Sequence, residues 1–138
     1  MKALFQAGDN MLCIDNFEYR NEDAQHGNPY NCSFDLFVQS GLFAGVAPCE
    51  YDIKEFRIFF DQLKGLYRFE RDSAEFWDIC YGSQVRFHMD HTGHIEVTGE
   101  IFGEGMEHQL KFRFGGADQT HLPPFIDALE TFCQARMR

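Results

Sequence analysis

Apolar and polar residues alternate with a period of two along most of the chain, in runs broken by Gly, Asn or Asp, which is the pattern of half-buried strands. These runs predict strands near residues 3–7, 11–19, 32–40, 42–50, 75–81, 84–90, 94–102 and 107–115, with a mobile polar loop NEDAQHGNPYN at 21–31. Two segments instead repeat every three to four residues, as amphipathic helices do. In the first, Asp52 is placed to cap the helix, Glu55 completes a capping-box-like pattern, and Ile53, Phe56, Phe60, Leu63 and Tyr67 fall on one stripe that ends near Gly65. In the second, Pro123 and Pro124 suit a first turn capped by Thr120, with Leu122 as the alternative cap. Leu122, Phe125, Ile126, Leu129, Phe132 and Cys133 make its stripe. Four strands, a helix, four strands and a helix hint at two similar halves, although no residues match at a fixed period. The expected fold class is α+β: a curved antiparallel sheet of about eight strands with two amphipathic helices covering one face, in a single domain over residues 1–138.

Composition narrows the function. The 22 acidic and 12 basic side chains give a net charge of −10, split as ten acids and six bases in residues 1–69 and twelve and six in 70–138. An acidic surface without a tail repels nucleic acid and anionic lipid, so neither is an expected partner. No apolar run approaches the roughly 18 residues of a membrane helix. The opening MKALFQAGDN lacks a secretory apolar core, so a cytoplasmic location is expected. Cys13, Cys32, Cys49, Cys80 and Cys133 fit neither a disulfide framework nor a zinc knuckle and read as reduced thiols.

His88, His91 and His94, with Asp90 beside them, are the one local gathering of metal-ligating side chains. A three-residue turn His91-Thr92-Gly93 pairs Asp90 with His94, Phe87 with Val97 and Met89 with Ile95 on the buried side, and His88 with Glu96 and Arg86 with Thr98 on the other. Three imidazoles then do not converge, and no cofactor is expected. A loop at 103–106 pairs Val97 with Phe112 and sets Glu96 opposite Arg113. For the preceding hairpin, burying an unpaired carboxylate is expected to cost more than a less favoured turn, so Trp77 and Ile79 point inward and Asp78 joins an outward row with His88, Glu96 and Arg113. No nucleophile elbow, phosphate loop or HExxH helix is present.

The strand pair ending at Ser40-Gly41-Leu42-Phe43-Ala44-Gly45, the helix from Asp52 to Leu66, the segments Gly93-His94-Ile95-Glu96-Val97-Thr98-Gly99 and Leu110-Lys111-Phe112-Arg113-Phe114, and the helix entrance Ala117-Asp118-Gln119-Thr120-His121-Leu122 follow one another along the chain. Over roughly residues 33–135 this arrangement resembles the WapI-type immunity proteins of bacterial polymorphic toxin systems, most specifically in the Asp-Gln-Thr-x-Leu entrance. The resemblance implies neutralisation of a cognate toxin domain by a stoichiometric complex rather than by catalysis. Many such toxins are nucleases with basic grooves, which an acidic inhibitor would reach by long-range attraction. Aromatic or Arg anchors should then carry most of the affinity, with acidic residues setting the on-rate. The candidate partner-binding residues are Asp78, His88, Glu96, Glu100, Glu104 and Glu107. Two other readings stand beside this one: a metal-dependent hydrolase or isomerase built on His88, His94, Asp78, Asp90 and Glu96, and an apolar-ligand module with a cavity inside the Phe-rich sheet.

Overall fold

The computed structural model describes residues 2–136. Strands β1 (Lys2–Ala7), β2 (Asn10–Tyr19), β3 (Cys32–Ser40) and β4 (Phe43–Tyr51) form one antiparallel meander. Strands β5 (Ser73–Trp77), β6 (Gln84–Met89), β7 (His94–Phe102) and β8 (Gln109–Asp118) form a second. The short helix α1 (Asn21–Gln25) occupies part of the segment expected to be loop, α2 (Ile53–Tyr67) follows the first meander, and α3 (Leu122–Arg136) follows the second. The α+β class stands. The eight strands divide into two open sheets of four rather than one curved sheet, because α2 is inserted between β4 and β5 and those strands do not pair.

One apolar core joins the two sheets and both long helices. Rings fill it: Phe5 of β1 meets Phe87 of β6 edge-on at 5.0 Å, and Phe87 in turn lies 6.0 Å from both Phe59 of α2 and Phe125 of α3. Phe17 stacks on Phe132 at 5.0 Å, and Phe76 sits 5.1 Å from Phe59. Helix α2 starts where expected, with the Asp52 carboxylate accepting from the Lys54 N–H at 3.0 Å. Its buried side adds Phe59 and Leu66 to the expected stripe, whereas Tyr67 is exposed at the end, where the chain turns off through Phe69 at φ 59°. Among the described residues no helix is long and apolar enough to cross a membrane.

The turn before α3 explains the distinctive Asp-Gln-Thr-x-Leu string. Asp118 caps the 3₁₀ turn Gln119–His121 that leads into α3, and Thr120, expected as the helix cap, lies within that turn. The Asp118 carboxylate accepts from the Thr120 N–H at 2.8 Å and from the Thr120 hydroxyl, while His121 Nδ1 accepts from the Asp118 N–H at 3.1 Å. The Thr120 hydroxyl and N–H bonds hold the Asp118 carboxyl below the usual carboxylate range. The Gln119 N–H donates to the Gly93 carbonyl at 3.0 Å, and the Gln119 side chain occupies the space a Cβ on Gly93 would need. Leu122 is fully buried. The string therefore docks the last helix onto the β6–β7 turn.

Candidate partner-binding surface

The β6–β7 register is the expected one: Phe87 faces Val97 and Met89 faces Ile95 inside, while His88 faces Glu96 and Arg86 faces Thr98 outside. The β7–β8 register differs by two residues. The connection is a six-residue loop closed by the Gly103 N–H donating to the His108 carbonyl at 2.9 Å, so Phe102 pairs with Gln109 and Thr98, not Glu96, faces Arg113. Glu96 instead lies across from a bulge at Gly115-Gly116, where Gly116 has φ 80°. A shift of two keeps every side chain on its own face but changes its neighbours.

Asp78 is not in the outward row. It is buried, while Trp77 and Ile79 are exposed, the reverse of the expected orientation. Asp78 Oδ1 accepts from the N–H groups of Glu50 at 2.7 Å and Cys80 at 3.1 Å, and Oδ2 accepts from Tyr81 N–H at 2.8 Å. A carboxylate with three charge-assisted partners carries little of the desolvation cost that an unpaired one would. The Glu50 bond ties the second sheet to the first, and Asp78 acts from below the surface by fixing the backbone of Glu50.

The outer face of the second sheet is close to charge-balanced. One cross-strand row reads Glu75, Arg86, Thr98, Arg113, and the next reads Trp77, Gln84, Glu100, Lys111. These two rows border an open groove of about 550 Å³ that deepens at Gly99, where any Cβ would lie 2.2 Å from the Gln84 carbonyl oxygen. Glu100 accepts from Gln109 Nε2 at 3.0 Å. The metal-site residues do not assemble. His88, Asp90, His94 and Glu96 border a shallow hollow of about 340 Å³, but Asp90 Oδ1 is already engaged by Thr92 N–H at 2.9 Å, the Thr92 hydroxyl at 2.6 Å and His94 N–H at 3.0 Å. These bonds, the Thr92 hydroxyl first, pull the Asp90 carboxyl down to about 2. Asp78 is at the opposite end of the β5–β6 hairpin, and among the described residues no three His, Cys, Asp or Glu side chains are placed to hold an ion.

Acidic character concentrates elsewhere, at Glu104. A hollow of about 390 Å³ opens where the β7–β8 loop approaches the first sheet, and its lining holds Glu18, Asp35, Glu50 and Glu104 with no cationic side chain. A bulge in β2 shapes it. Two residues, Asn16 and Phe17, oppose one on β3, with Asn16 at φ 54° donating from Nδ2 to Asp35 Oδ2 at 2.8 Å. The bulge turns Phe17 into the core and Glu18 outward. Arg20 offsets part of this charge, pairing with Glu50 at 3.0 Å and Asp23 at 3.1 Å. Glu107 is exposed on the same loop as Glu104. The sequence reading missed Glu18, Asp35 and Glu50; the available signal was Asn16, a residue tolerant of left-handed backbone, inside a strand pattern.

The exposed Cys80 thiol also lines this hollow. The other four thiols are buried, and burial pushes Cys32 up to about 12 and raises Cys13, Cys49 and Cys133; desolvation and then the nearby Asp78 and Glu50 carboxylates raise Cys80 as well, so its exposure is what sets it apart. A disulfide reagent at pH 8 is therefore expected to titrate one thiol in the native protein and five after denaturation, and Cys80→Ser should abolish the native signal. More than one fast native thiol would contradict this burial pattern.

Fold and surface define an α+β protein of two open meanders, each followed by a helix, with four carboxylates gathered around one surface hollow. The chain belongs to the WapI-like immunity protein family, whose sequence model matches residues 6–135. Membership carries an immunity function, with a protein toxin as the partner. No curated protein matches the sequence. Among solved structures, the chain overlaps one from the crystal structures of Trypanosoma brucei MRP1/MRP2 at 10% identity and a TM-score of 0.49, covering 100% of this chain and 87% of the other. Overlap at that level says nothing of function.

Proposed function

We propose that this protein neutralises a basic toxin domain, possessing nuclease-type charge, by forming a stoichiometric complex through its acidic surface. Family membership over residues 6–135 supports the immunity role, and the four carboxylates around the hollow support its location. Four like charges without a lining cation create a local field that a Lys- or Arg-rich groove would offset on binding. Glu104 and Glu107 belong to this contact zone. Glu96 and Glu100, on the more balanced sheet face, contribute through the long-range field, and His88 lies opposite Glu96 on that face. The reading requires no reactive group on this chain and places its work in the cytoplasm of the producing cell.

The direct test is titration of the purified chain against an inactivated toxin domain encoded by the neighbouring open reading frame, with 1:1 binding expected and loss of toxin activity in step with it. Cys80 labelling should slow in the complex. Glu18→Lys with Glu104→Lys should slow association about tenfold at low ionic strength, and Glu96→Lys with Glu100→Lys by a smaller factor, both effects fading as salt shortens the Debye length to about 3 Å at 1 M. Urea midpoints should hardly move. Unchanged association rates in both double variants would reject the acidic surface as the docking zone.

A further inference from the structure

We infer that the outer face of the first sheet is where the toxin seats, with Leu4, Cys13, Phe37 and Val46 as its apolar anchor row; this rests on the immunity reading above and adds to it the surface that carries affinity. The register places these four side chains directly opposite one another across all four strands, Leu4 to Cys13, Cys13 to Phe37, and Phe37 to Val46. Strand alternation turns them away from the interior, because their chain neighbours Ala3, Phe5, Leu12, Ile14, Leu36, Val38 and Ala47 fill the core. None of the four belongs to the core cluster; Cys13 is itself buried at 6% exposure in the middle of the row, Leu4 and Phe37 are half-buried, and these two with Val46 are the side chains a partner would touch. Val46 is 59% exposed, and the adjacent hairpin tip adds Leu42 and Phe43, which is 71% exposed.

The second sheet provides an internal comparison. It is also a four-stranded meander in the same core, yet the corresponding row on its outer face reads Glu75, Arg86, Thr98, Arg113. A water-facing sheet needs only such a polar face, so a continuous apolar row across the other sheet marks a contact surface. With strands about 4.8 Å apart, the row spans about 14 Å, the scale of the central patch of a protein interface.

Charge selects the occupant. On one side of the apolar row lies a neutral row of Gln6, Met11, Gln39 and Ala44; on the other, Asp15 and Asp35, followed by Glu18 and Glu50. Two cations touch this border, Lys2 at 3.9 Å from Asp15 and Arg20 at 3.0 Å from Glu50, which leaves Asp35 and Glu18 without a cationic partner among the ion pairs of the described residues. The acidic border runs directly into the hollow, since Asp35, Glu18 and Glu50 line both. A second copy of this chain would bring the same carboxylates and the same net charge of −10, so it is disfavoured as occupant. The fitting partner is a folded domain with an apolar knob edged by Lys or Arg. Its apolar contact would set the off-rate, and the hollow would set the on-rate.

The test uses the full chain and the inactivated neighbouring toxin domain. Val46→Arg and, separately, Phe37→Ser should weaken binding at least 100-fold, mainly by faster dissociation, whereas Thr98→Arg on the other sheet should change it by less than threefold. Val46 is exposed on an edge strand, so Val46→Arg remains informative even if Phe37→Ser folds poorly, and circular dichroism checks both. If both variants bind within threefold of the parent, this docking face is overturned while the immunity reading stands. If the parent chain itself does not bind that toxin, both fall. Sedimentation showing a parent dimer that Val46→Arg dissociates would assign the face to a second copy and overturn the inference.

Discussion

Phe87→Ala is expected to destabilise the protein by about 4 kcal/mol, the range for truncating a buried aromatic. Phe87 is fully buried and is the ring through which both sheets and both long helices meet: Phe5 at 5.0 Å, Phe59 at 6.0 Å and Phe125 at 6.0 Å. Collapse around the vacancy is restricted because these neighbours belong to three different elements, so the cavity cost adds to the lost transfer energy. Against a total stability of typically 5–15 kcal/mol, such a loss leaves a marginal fold. Urea unfolding should show a lower midpoint at an unchanged slope. Binding should rescue it: a toxin present at 100 times its Kd adds about 2.7 kcal/mol to the folded state and should raise the melting temperature of Phe87→Ala as it does that of the parent. A loss under 1 kcal/mol would mean that the two sheets do not share one core.

Local patterns determined what was legible in the sequence. The β6–β7 register followed from one turn, because Gly93 and the apolar alternation admit a single alignment. Both helix stripes were readable for the same reason, and the discrepancy at Tyr67 arises where the helix is already leaving its regular geometry. The β7–β8 alignment was not legible. Residues Gly103–His108 wind through a single 3₁₀ turn with Met106 at φ 62°, and the resulting shift of two leaves the hydrophobic pattern unaltered. The division into two sheets depends on which strands lack a partner, and no local period records that.

The candidate surface divides along the same line. Glu104 was placed on it by outward alternation and loop position alone. Glu18, Asp35 and Glu50 come from three strands that converge only through the β2 bulge and the β2–β3–β4 register. The apolar row across the first sheet is likewise a property of register: Leu4, Cys13, Phe37 and Val46 are separated by tens of residues in places and none stands out in its own strand. Meanwhile the most recognisable string, Asp118 to Leu122, is a helix cap and docking device. The string that carries the resemblance thus builds the fold, while the proposed docking surface lies in less conspicuous positions.

Asp78→Ala is expected to cost about 3 kcal/mol, and Asp78→Asn about half of that. Alanine leaves the N–H groups of Glu50, Cys80 and Tyr81 without their acceptor in a buried site, and bonds to a charged acceptor are each worth about 1.5–3 kcal/mol before relaxation and water entry recover part. Asparagine keeps one oxygen for Glu50 and Cys80 but turns an NH₂ toward the Tyr81 N–H, setting donor against donor. Both measurements are urea midpoints. The functional consequence follows from position: Asp78 holds the backbone of Glu50 from the second sheet, and Glu50 lines the acidic hollow. At a temperature where Asp78→Asn remains folded, its association with the toxin should slow at low salt although the substituted side chain is buried beneath the surface. Equal stabilities for the Ala and Asn variants would show that water replaces the carboxylate freely, and the link between the two sheets would then not depend on its charge.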